Sequence, residues 1–306
     1  ARVSARLSGY YASGRGAGWN PHLRSRAQHL YPEPRQVEAF FARRRGRTDA
    51  QIFDELESRL KDWETLNATL DRWQAGPSSS QTAAHRAQVA QALREAWRNE
   101  PLAAQAREVA QLSLVCDAPL PALTTRFDHV RELSVTGSGL TDANAEAFLA
   151  AFPQVTDLSI GEPGLGIEQT LVNGSLTTLP LAVGRMPELT RLRFATDAPL
   201  LAENFAQRLE ALSSLEALRI DYSGTDSTSL HGLDFSRLRQ LRTLRIDAPR
   251  ALWRWPASVE RLGQLQRLDL SHTLIETLPS SLYHGQERLL SGLSLDWSRV
   301  TPDTFL

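Results

Sequence analysis

One hydrophobic pattern recurs along the C-terminal two thirds of the chain. It consists of an apolar residue, two variable positions, a leucine, one variable position and a second apolar residue, and it occurs eight times between residues 109 and 295. Successive copies are spaced 21 to 34 residues apart, measured between their central leucines. The central leucines are Leu112, Leu133, Leu158, Leu192, Leu218, Leu244, Leu268 and Leu293. The alternation at the end of each copy predicts a short strand with one apolar face.

A single strand of this kind cannot bury its apolar face alone, whereas stacked copies can. The period and the leucines indicate a leucine-rich repeat, in which each copy contributes one parallel strand and part of a continuous core. We therefore predict an α/β solenoid of about eight repeats, with the parallel strands on a concave face and an α-helical N-terminal cap. On the convex side, residues 141–154 and 200–214 predict helices. Three repeats instead place a proline turn there, at Pro180, Pro256 and Pro279.

The first third of the chain predicts helices rather than repeats. Pro34 and Thr48 suit helix starts, and Gly46 suits a helix end. After Thr48, apolar residues step mostly by three and four, which predicts a long helix with one buried stripe. The stripe consists of Ile52, Phe53, Leu56, Leu60, Trp63, Leu66, Leu70 and Trp73.

These patterns divide the chain into three parts. Residues 1–33 are expected to form a flexible or partly ordered arm, with a short helix at residues 24–30. Residues 34–106 form a helical region that caps the open edge of the first repeat, and residues 107–306 form the repeat domain. Residues 164–176 contain extra residues between two repeats and predict an inserted loop.

Charged residues in the helical region are interpreted as solvated. The basic run at residues 43–47 has acidic residues close behind it and no interleaved aromatics, so a solvated helix end is favoured over a nucleic-acid patch. Glu55 and Arg59 stand four residues apart, as in an exposed pair on a helix surface.

The overall composition narrows the functional class. The net charge of −1 argues against a chain that binds nucleic acid or an anionic membrane along its whole length. No apolar run approaches the roughly 20 residues that span a bilayer, so membrane insertion is not expected. Cys116 is the one cysteine, which excludes an intrachain disulfide and favours a reducing compartment. The chain lacks a signal peptide and an initiator methionine, and we expect it to be a fragment of a longer protein.

The repeat frame identifies the side chains that point out of the strands. Arginines occupy the position between the two apolar residues in three successive repeats, and aspartates recur two residues later. The candidate protein-binding residues on the concave face are Arg191, Arg193, Arg219, Asp221, Arg245, Asp247, Arg267, Asp269 and Asp296. At a strand spacing of about 4.8 Å, eight strands give an inner surface large enough for one standard protein interface.

Two interpretations of these charges are compatible with the sequence. The arginines either pair with Asp221, Asp247 and Asp269 to form a self-satisfied surface, or anchor a partner protein. A third hypothesis is that Arg193, Arg219 and Arg245 bind a nucleotide or a nucleic acid, although a protein partner is preferred. Trp253 and Trp297 fall outside the strand frame, and either partner contact or local packing would explain them.

The sequence offers no catalytic pattern. Its seven histidines lack the spacing of a metal site, and no G-x-S-x-G motif occurs. Cys116 follows a core strand position by two residues, which favours a half-buried thiol of low reactivity over a nucleophile. We expect no metal ion and no cofactor.

Several segments resemble a known family. RAQHLYPEPRQVEAFF, LNATLDRW, QALREAWRNE, RFDHVRELSV and FLAAFP are similar to the region before and within the repeats of large bacterial effectors and dermonecrotic-toxin-like proteins that end in a novel E3 ligase (NEL) domain. The resemblance implies repeats that select a host protein and a separate C-terminal domain that ubiquitinates it through a catalytic cysteine. The family's cysteine lies in a Cys-x-Asp motif after the repeats. Cys116 lies within the first repeat and is followed directly by Asp117, so no catalytic residue is assigned here.

The resemblance also implies where the protein acts and which partners it has. It predicts a virulence protein secreted by a bacterium that acts in the host cytoplasm, with a host protein and a ligase domain of the same chain as partners. The chain itself carries no recognisable ligase site. The alternative is a structural or autoinhibitory interaction module of a large toxin without ligase activity.

Overall fold

The computed structural model describes residues 21–77, 79–161 and 176–301. The chain divides into two compact units. The first contains residues 1–112 and 121–130, and the second contains residues 113–120 and 131–306. The three predicted domain boundaries, and the capping role of the helical region, stay predictions.

The first unit is helical. Its α-helices are α1 (Pro21–Leu30), α2 (Pro34–Ala42), α3 (Asp49–Gln74) and α4 (Ser80–Arg98), and they are followed by 3₁₀ segments at Glu100–Leu102 and Arg107–Ala110. Helix α1 includes the short helix that the sequence predicts at residues 24–30. Thr48 caps α3: its hydroxyl oxygen accepts a hydrogen bond from the backbone N–H of Gln51, and its own backbone N–H donates to Oε1 of the Gln51 side chain, in agreement with the predicted helix start.

The apolar stripe of α3 forms part of the core of this unit. Ile52, Leu56 and Leu70 are fully buried, whereas Leu60 and Trp73 at the stripe's edge are only half-buried. Aromatic rings from two helices and a connecting segment meet at the stripe: Trp97 lies 5.4 Å from Trp63 and 6.5 Å from Tyr31, between ring centroids. Burial of these large side chains is the main stabilising contribution to the unit.

The interpretation of the helical charges as solvated is wrong for two arginines. Arg44 is 6% exposed; its guanidinium donates to Glu55 and to the carbonyl of Phe40, and lies 3.7 Å from the centre of the Phe40 ring. Arg59 is also mostly buried and donates to Glu100 and to the hydroxyl of Tyr31. The side chains are buried because each finds a carboxylate and an aromatic neighbour on another element, which the local sequence does not reveal.

The strands follow the predicted frame, and all of them lie in the second unit except the first two residues of β1. They are β1 (Gln111–Val115), β2 (Glu132–Thr136), β3 (Asp157–Gly161), β4 (Arg191–Thr196), β5 (Ala217–Tyr222), β6 (Thr243–Asp247), β7 (Arg267–Leu270) and β8 (Leu293–Leu295). They form one sheet in chain order. From β2 to β8 the pairing is parallel, and each central leucine lies opposite the next, as in Leu192, Leu218 and Leu244.

Short helical segments connect the strands from β2 to β8. They are α5 (Ala145–Leu149), α6 (Ala202–Glu210), α7 (Ser227–His231) and α8 (Glu287–Ser291), with 3₁₀ segments at Leu181–Arg185, Ala257–Arg261 and Ser280–Tyr283. Each of these 3₁₀ segments begins directly after one of the predicted turn prolines. The core of the unit contains strand leucines and fully buried phenylalanines such as Phe148, Phe205 and Phe235. The unit is an α/β leucine-rich-repeat solenoid, as the sequence predicts.

The inserted loop predicted at residues 164–176 falls almost entirely outside the described residues, as does the first part of the predicted N-terminal arm.

Candidate functional site

Three arginines lie side by side on the outward face of the sheet. The parallel register places Arg193 opposite Arg219 and Arg219 opposite Arg245, on β4, β5 and β6. They point away from the core because they alternate with buried residues of the same strands, such as Leu218 and Ile220. We call Arg193, Arg219 and Arg245 the arginine ladder.

Two aspartates hold the ladder together. Asp221 accepts from Nε of Arg193 at 2.7 Å and from Nε of Arg219 at 2.9 Å, so its carboxylate bridges two neighbouring strands. Asp247 accepts from Nη2 of Arg219 at 3.3 Å and from Nε and Nη2 of Arg245 at 3.1 and 3.0 Å. The ladder is therefore a continuous chain of charge-assisted hydrogen bonds across three strands.

The carboxylates are less exposed than the guanidinium groups. The side chains of Asp221 and Asp247 are 9% and 19% exposed, against 41%, 35% and 33% for Arg193, Arg219 and Arg245. Burial alone would raise the pKa of Asp247, but hydrogen bonds and the nearby positive charges, above all those of Arg245, hold it below its ordinary value. The hydrogen bond to Asp247 in turn raises the pKa of Arg245. A partner approaching this face would meet mainly guanidinium groups.

The other candidate residues lie around the ladder or beyond it. Arg191 lies at the start of β4, with its Nε 3.7 Å from Asp157, and Arg267 is exposed at the start of β7. Asp269 accepts from the backbone and hydroxyl of Ser271 and is 3.9 Å from Arg245. Asp296 accepts from Ser298 and Arg299 in the turn after β8, so it serves that turn and not the ladder.

Two neighbouring features were not identified from the sequence. His272 is exposed, and its Nδ1 lies 3.4 Å from Asp247, beside the ladder. Trp253 is 49% exposed, with its ring edge-to-face against His231 at 4.5 Å and the guanidinium of Arg254 at 4.9 Å. For Trp253 the sequence left partner contact and local packing open, and it did not identify the neighbour His231, which belongs to the preceding repeat. Trp297 is exposed to a similar extent, whereas Trp255 is buried.

A separate polar cavity of about 420 Å³ lies within the first unit. Arg59 and Glu100 line it, together with Trp97, Asp128 and His129. Burial, the largest influence, raises the pKa of Tyr31 to about 12 although Arg59 donates to its hydroxyl. Burial lowers the pKa of His129, which is hydrogen-bonded through Nε2 to the carbonyl of Ala96. Around the cavity, Arg59 pairs with Glu55 and Glu100, and Arg126 pairs with Asp128, which is typical of a structural polar network.

Within the described ranges, no cluster of three or more His, Cys, Asp or Glu side chains is placed to hold a metal ion. Cys116 is fully buried, more so than the half-buried thiol expected from the sequence, and its Sγ lies 3.1 Å from the carbonyl of Ala118. None of the helices in the described part of the chain has the length and apolar character needed to cross a bilayer.

Comparison with known proteins adds the following. No family model and no curated protein matches the chain. Among solved structures, internalin C2 of Listeria monocytogenes is 16% identical, with a TM-score of 0.38 over 63% of this chain and 83% of its own. The leucine-rich-repeat ectodomain of the receptor kinase GASSHO1/SCHENGEN3 from Arabidopsis thaliana, in complex with CASPARIAN STRIP INTEGRITY FACTOR 2, is 20% identical, with a TM-score of 0.33. That match covers 60% of this chain and 23% of the ectodomain.

The lowered pKa of Asp247 predicts a pH-dependent contribution to stability. A carboxylate with a folded-state pKa below its unfolded value, about 4, stabilises the folded state above that value and loses this effect as the pH falls through the folded pKa. Asp247→Asn should therefore be less stable than the wild type by about 1 kcal/mol at neutral pH. Urea unfolding between pH 7 and pH 3 should show this difference shrinking with acidification. A difference that stayed constant with pH would contradict the assigned ion pairs.

Proposed function

We propose that this chain is a protein-recognition module that binds its partner on the outward face of the parallel sheet. The observation that carries the proposal is the arginine ladder: adjacent guanidinium groups on a regular, rigid sheet, with aspartates beneath them. Arginine is enriched at the energetically dominant positions of protein interfaces. Residues mounted on strands are also held more rigidly than residues on loops, which lowers the entropic cost of binding.

The paired state of the ladder is compatible with binding. Because the guanidinium groups are about one third or more exposed, their ion pairs contribute only about 1 kcal/mol each, and exchanging one internal contact for a partner contact costs little. The two sequence-based interpretations, self-satisfied surface and partner anchor, are therefore not exclusive. The aspartates fix where the guanidinium groups lie, and the guanidinium groups keep donors for a partner.

We further propose that the module belongs to a secreted bacterial effector of the NEL ligase type and selects a host protein in the host cytoplasm. The support is the resemblance of the segments before and within the repeats to that family. In this proposal ubiquitin transfer is performed by a separate C-terminal domain. The competing proposal, a structural or autoinhibitory module of a large toxin, predicts that the same face binds another domain of its own chain.

A capture experiment tests recognition by this face. The wild type, an Arg193/Arg219/Arg245→Glu variant and a control Arg237/Arg239/Arg261→Glu variant would be immobilised and exposed to host-cell lysate. The control changes three exposed arginines outside the strands, so it matches the charge change. We expect a host protein, identified by mass spectrometry and then purified, to bind the wild type and the control but not the ladder variant, with all three melting alike. Equal binding by all three would place recognition elsewhere.

A second experiment distinguishes the effector proposal from the autoinhibitory alternative. Domains that follow the repeats in the full-length protein would be added in trans to the immobilised wild type and ladder variant. The autoinhibitory alternative predicts ladder-dependent binding of such a domain in the absence of any host protein. Binding of a host protein alone would support the effector.

A further inference from the structure

We propose that the arginine ladder accepts an acidic α-helix of the partner, lying across strands β4, β5 and β6 with three carboxylates directed at Arg193, Arg219 and Arg245. This inference rests on the proposed function, because it names the kind of segment that the sheet face would recognise.

The first argument is the set of hydrogen-bond donors that the ladder leaves unused. Arg193 donates to protein through Nε, and Arg219 and Arg245 each donate through Nε and Nη2. Among the residues that the structure describes, Nη1 of each of the three guanidinium groups donates to no protein acceptor. These positively charged N–H groups match carboxylate oxygens, with which arginine forms short and strong hydrogen bonds.

The second argument is the placement of the negative charges. Two carboxylates pair with the ladder, those of Asp221 and Asp247. They are only 9% and 19% exposed and already bridge neighbouring arginines. Arg191 is 66% exposed on the same strand and face as Arg193 but lies 3.7 Å from Asp157, and Asp269, 33% exposed, borders the ladder 3.9 Å from Arg245, so the outward positive charge comes from the three ladder guanidinium groups. An anionic partner is therefore attracted by the exposed guanidinium groups and kept from close contact with the less exposed carboxylates of Asp221 and Asp247.

The third argument is spacing, which distinguishes a helix from an extended peptide. Three parallel strands at about 4.8 Å place the outer members of the ladder about 10 Å apart. Along an α-helix, residues i and i+7 are about 10.5 Å apart with i+4 between them on the same face. In an extended segment, three same-face side chains span about 13 Å, which exceeds the ladder. The helix is thus the better match in register.

Two peptides of identical composition test the inference. Both are alanine-rich helices with three glutamates: one places them at i, i+4 and i+7, and the other distributes them around the helix. Binding would be measured by isothermal titration to the wild type, to an Arg193/Arg219/Arg245→Gln variant, to the milder Arg219→Gln variant and to an Arg237/Arg239/Arg261→Gln control. Melting curves verify that each variant is folded.

We expect the one-face peptide to bind the wild type about tenfold more tightly than the distributed peptide, a difference that three aligned charge-assisted contacts can supply. That preference should disappear in the triple ladder variant, weaken in Arg219→Gln and persist in the control. Equal binding of the two peptides would overturn the inference. So would tighter, ladder-dependent binding of a short single-stranded oligonucleotide, because the ladder would then recognise phosphate.

Failure of this inference is distinguishable from failure of the proposed function. If the peptides do not discriminate but the captured protein still requires the ladder, the face binds protein in another geometry. If the captured protein also ignores the ladder, the proposed binding face itself is wrong.

Discussion

Replacing Leu218 with alanine is expected to lower the free energy of unfolding by about 2 to 5 kcal/mol, because the truncated side chain leaves a cavity in a closely packed core. Leu218 is 2% exposed and lies in register between Leu192 on β4 and Leu244 on β6. Each repeat is stabilised mainly by its neighbours, so a cavity between two repeats weakens both interfaces. Urea unfolding followed by circular dichroism measures the loss.

The matched control is the adjacent residue on the opposite face of the same strand. Arg219→Ala removes one half-exposed arginine while Asp221 and Asp247 keep their bonds to Arg193 and Arg245, so it should change the free energy of unfolding by only about 1 kcal/mol. If Arg219→Ala proved more destabilising than Leu218→Ala, the assignment of inward and outward faces would be wrong.

Replacing Gly161 with alanine is the second change with a large expected effect, again about 2 to 5 kcal/mol. Gly161 ends β3 with a φ of +93°, a conformation that costs an L-residue free energy. A Cβ at this position would lie 1.8 Å from the backbone oxygen of Ala195 on the next strand, so the two strands would have to separate. Thermal and urea melts of the variant would show the loss.

Two other glycines separate the contributions of conformation and contact. Gly285 has a φ of +81° with open space around it, so Gly285→Ala reports the conformational cost alone. Gly263 lacks both constraints, and its replacement by alanine should be nearly neutral. We expect destabilisation to increase from Gly263→Ala through Gly285→Ala to Gly161→Ala. Equal effects of the last two would show that β3 and β4 tolerate the contact.

The strand frame could be predicted because burial of apolar surface is non-directional and follows the local period. The alternation around Leu192 and Leu244 requires only that every second side chain face inward, and the structure buries both. The helix start at Thr48 and the 3₁₀ segment after Pro256 are equally local, because a cap or a fixed φ acts within a few residues. The outward positions of Arg193 and Arg219 follow from the same frame.

The pairing of charges required the tertiary structure. Arg193 and Asp221 are 28 residues apart in the chain, and Arg44 reaches Glu55 on α3 from the turn after α2. The sequence allowed the ladder arginines either to pair internally or to remain available, and it left Arg44 and Arg59 on a solvated surface. Ion pairs and hydrogen bonds form only within about 3 to 4 Å and in defined directions. They therefore depend on which segments become neighbours after folding.

By itself, the sequence determined the repeat, the inward and outward faces of each strand and the arginines of the candidate surface, because period and composition act locally. Only the tertiary structure decided that Asp221 and Asp247 lie beneath the ladder, that Tyr31 and Glu100 enclose Arg59, and that Trp253 contacts His231. The physical reason is the range over which each interaction acts. The hydrophobic pattern can be read from neighbouring positions along the chain, whereas the partners of charged and aromatic groups depend on contacts between segments far apart in sequence.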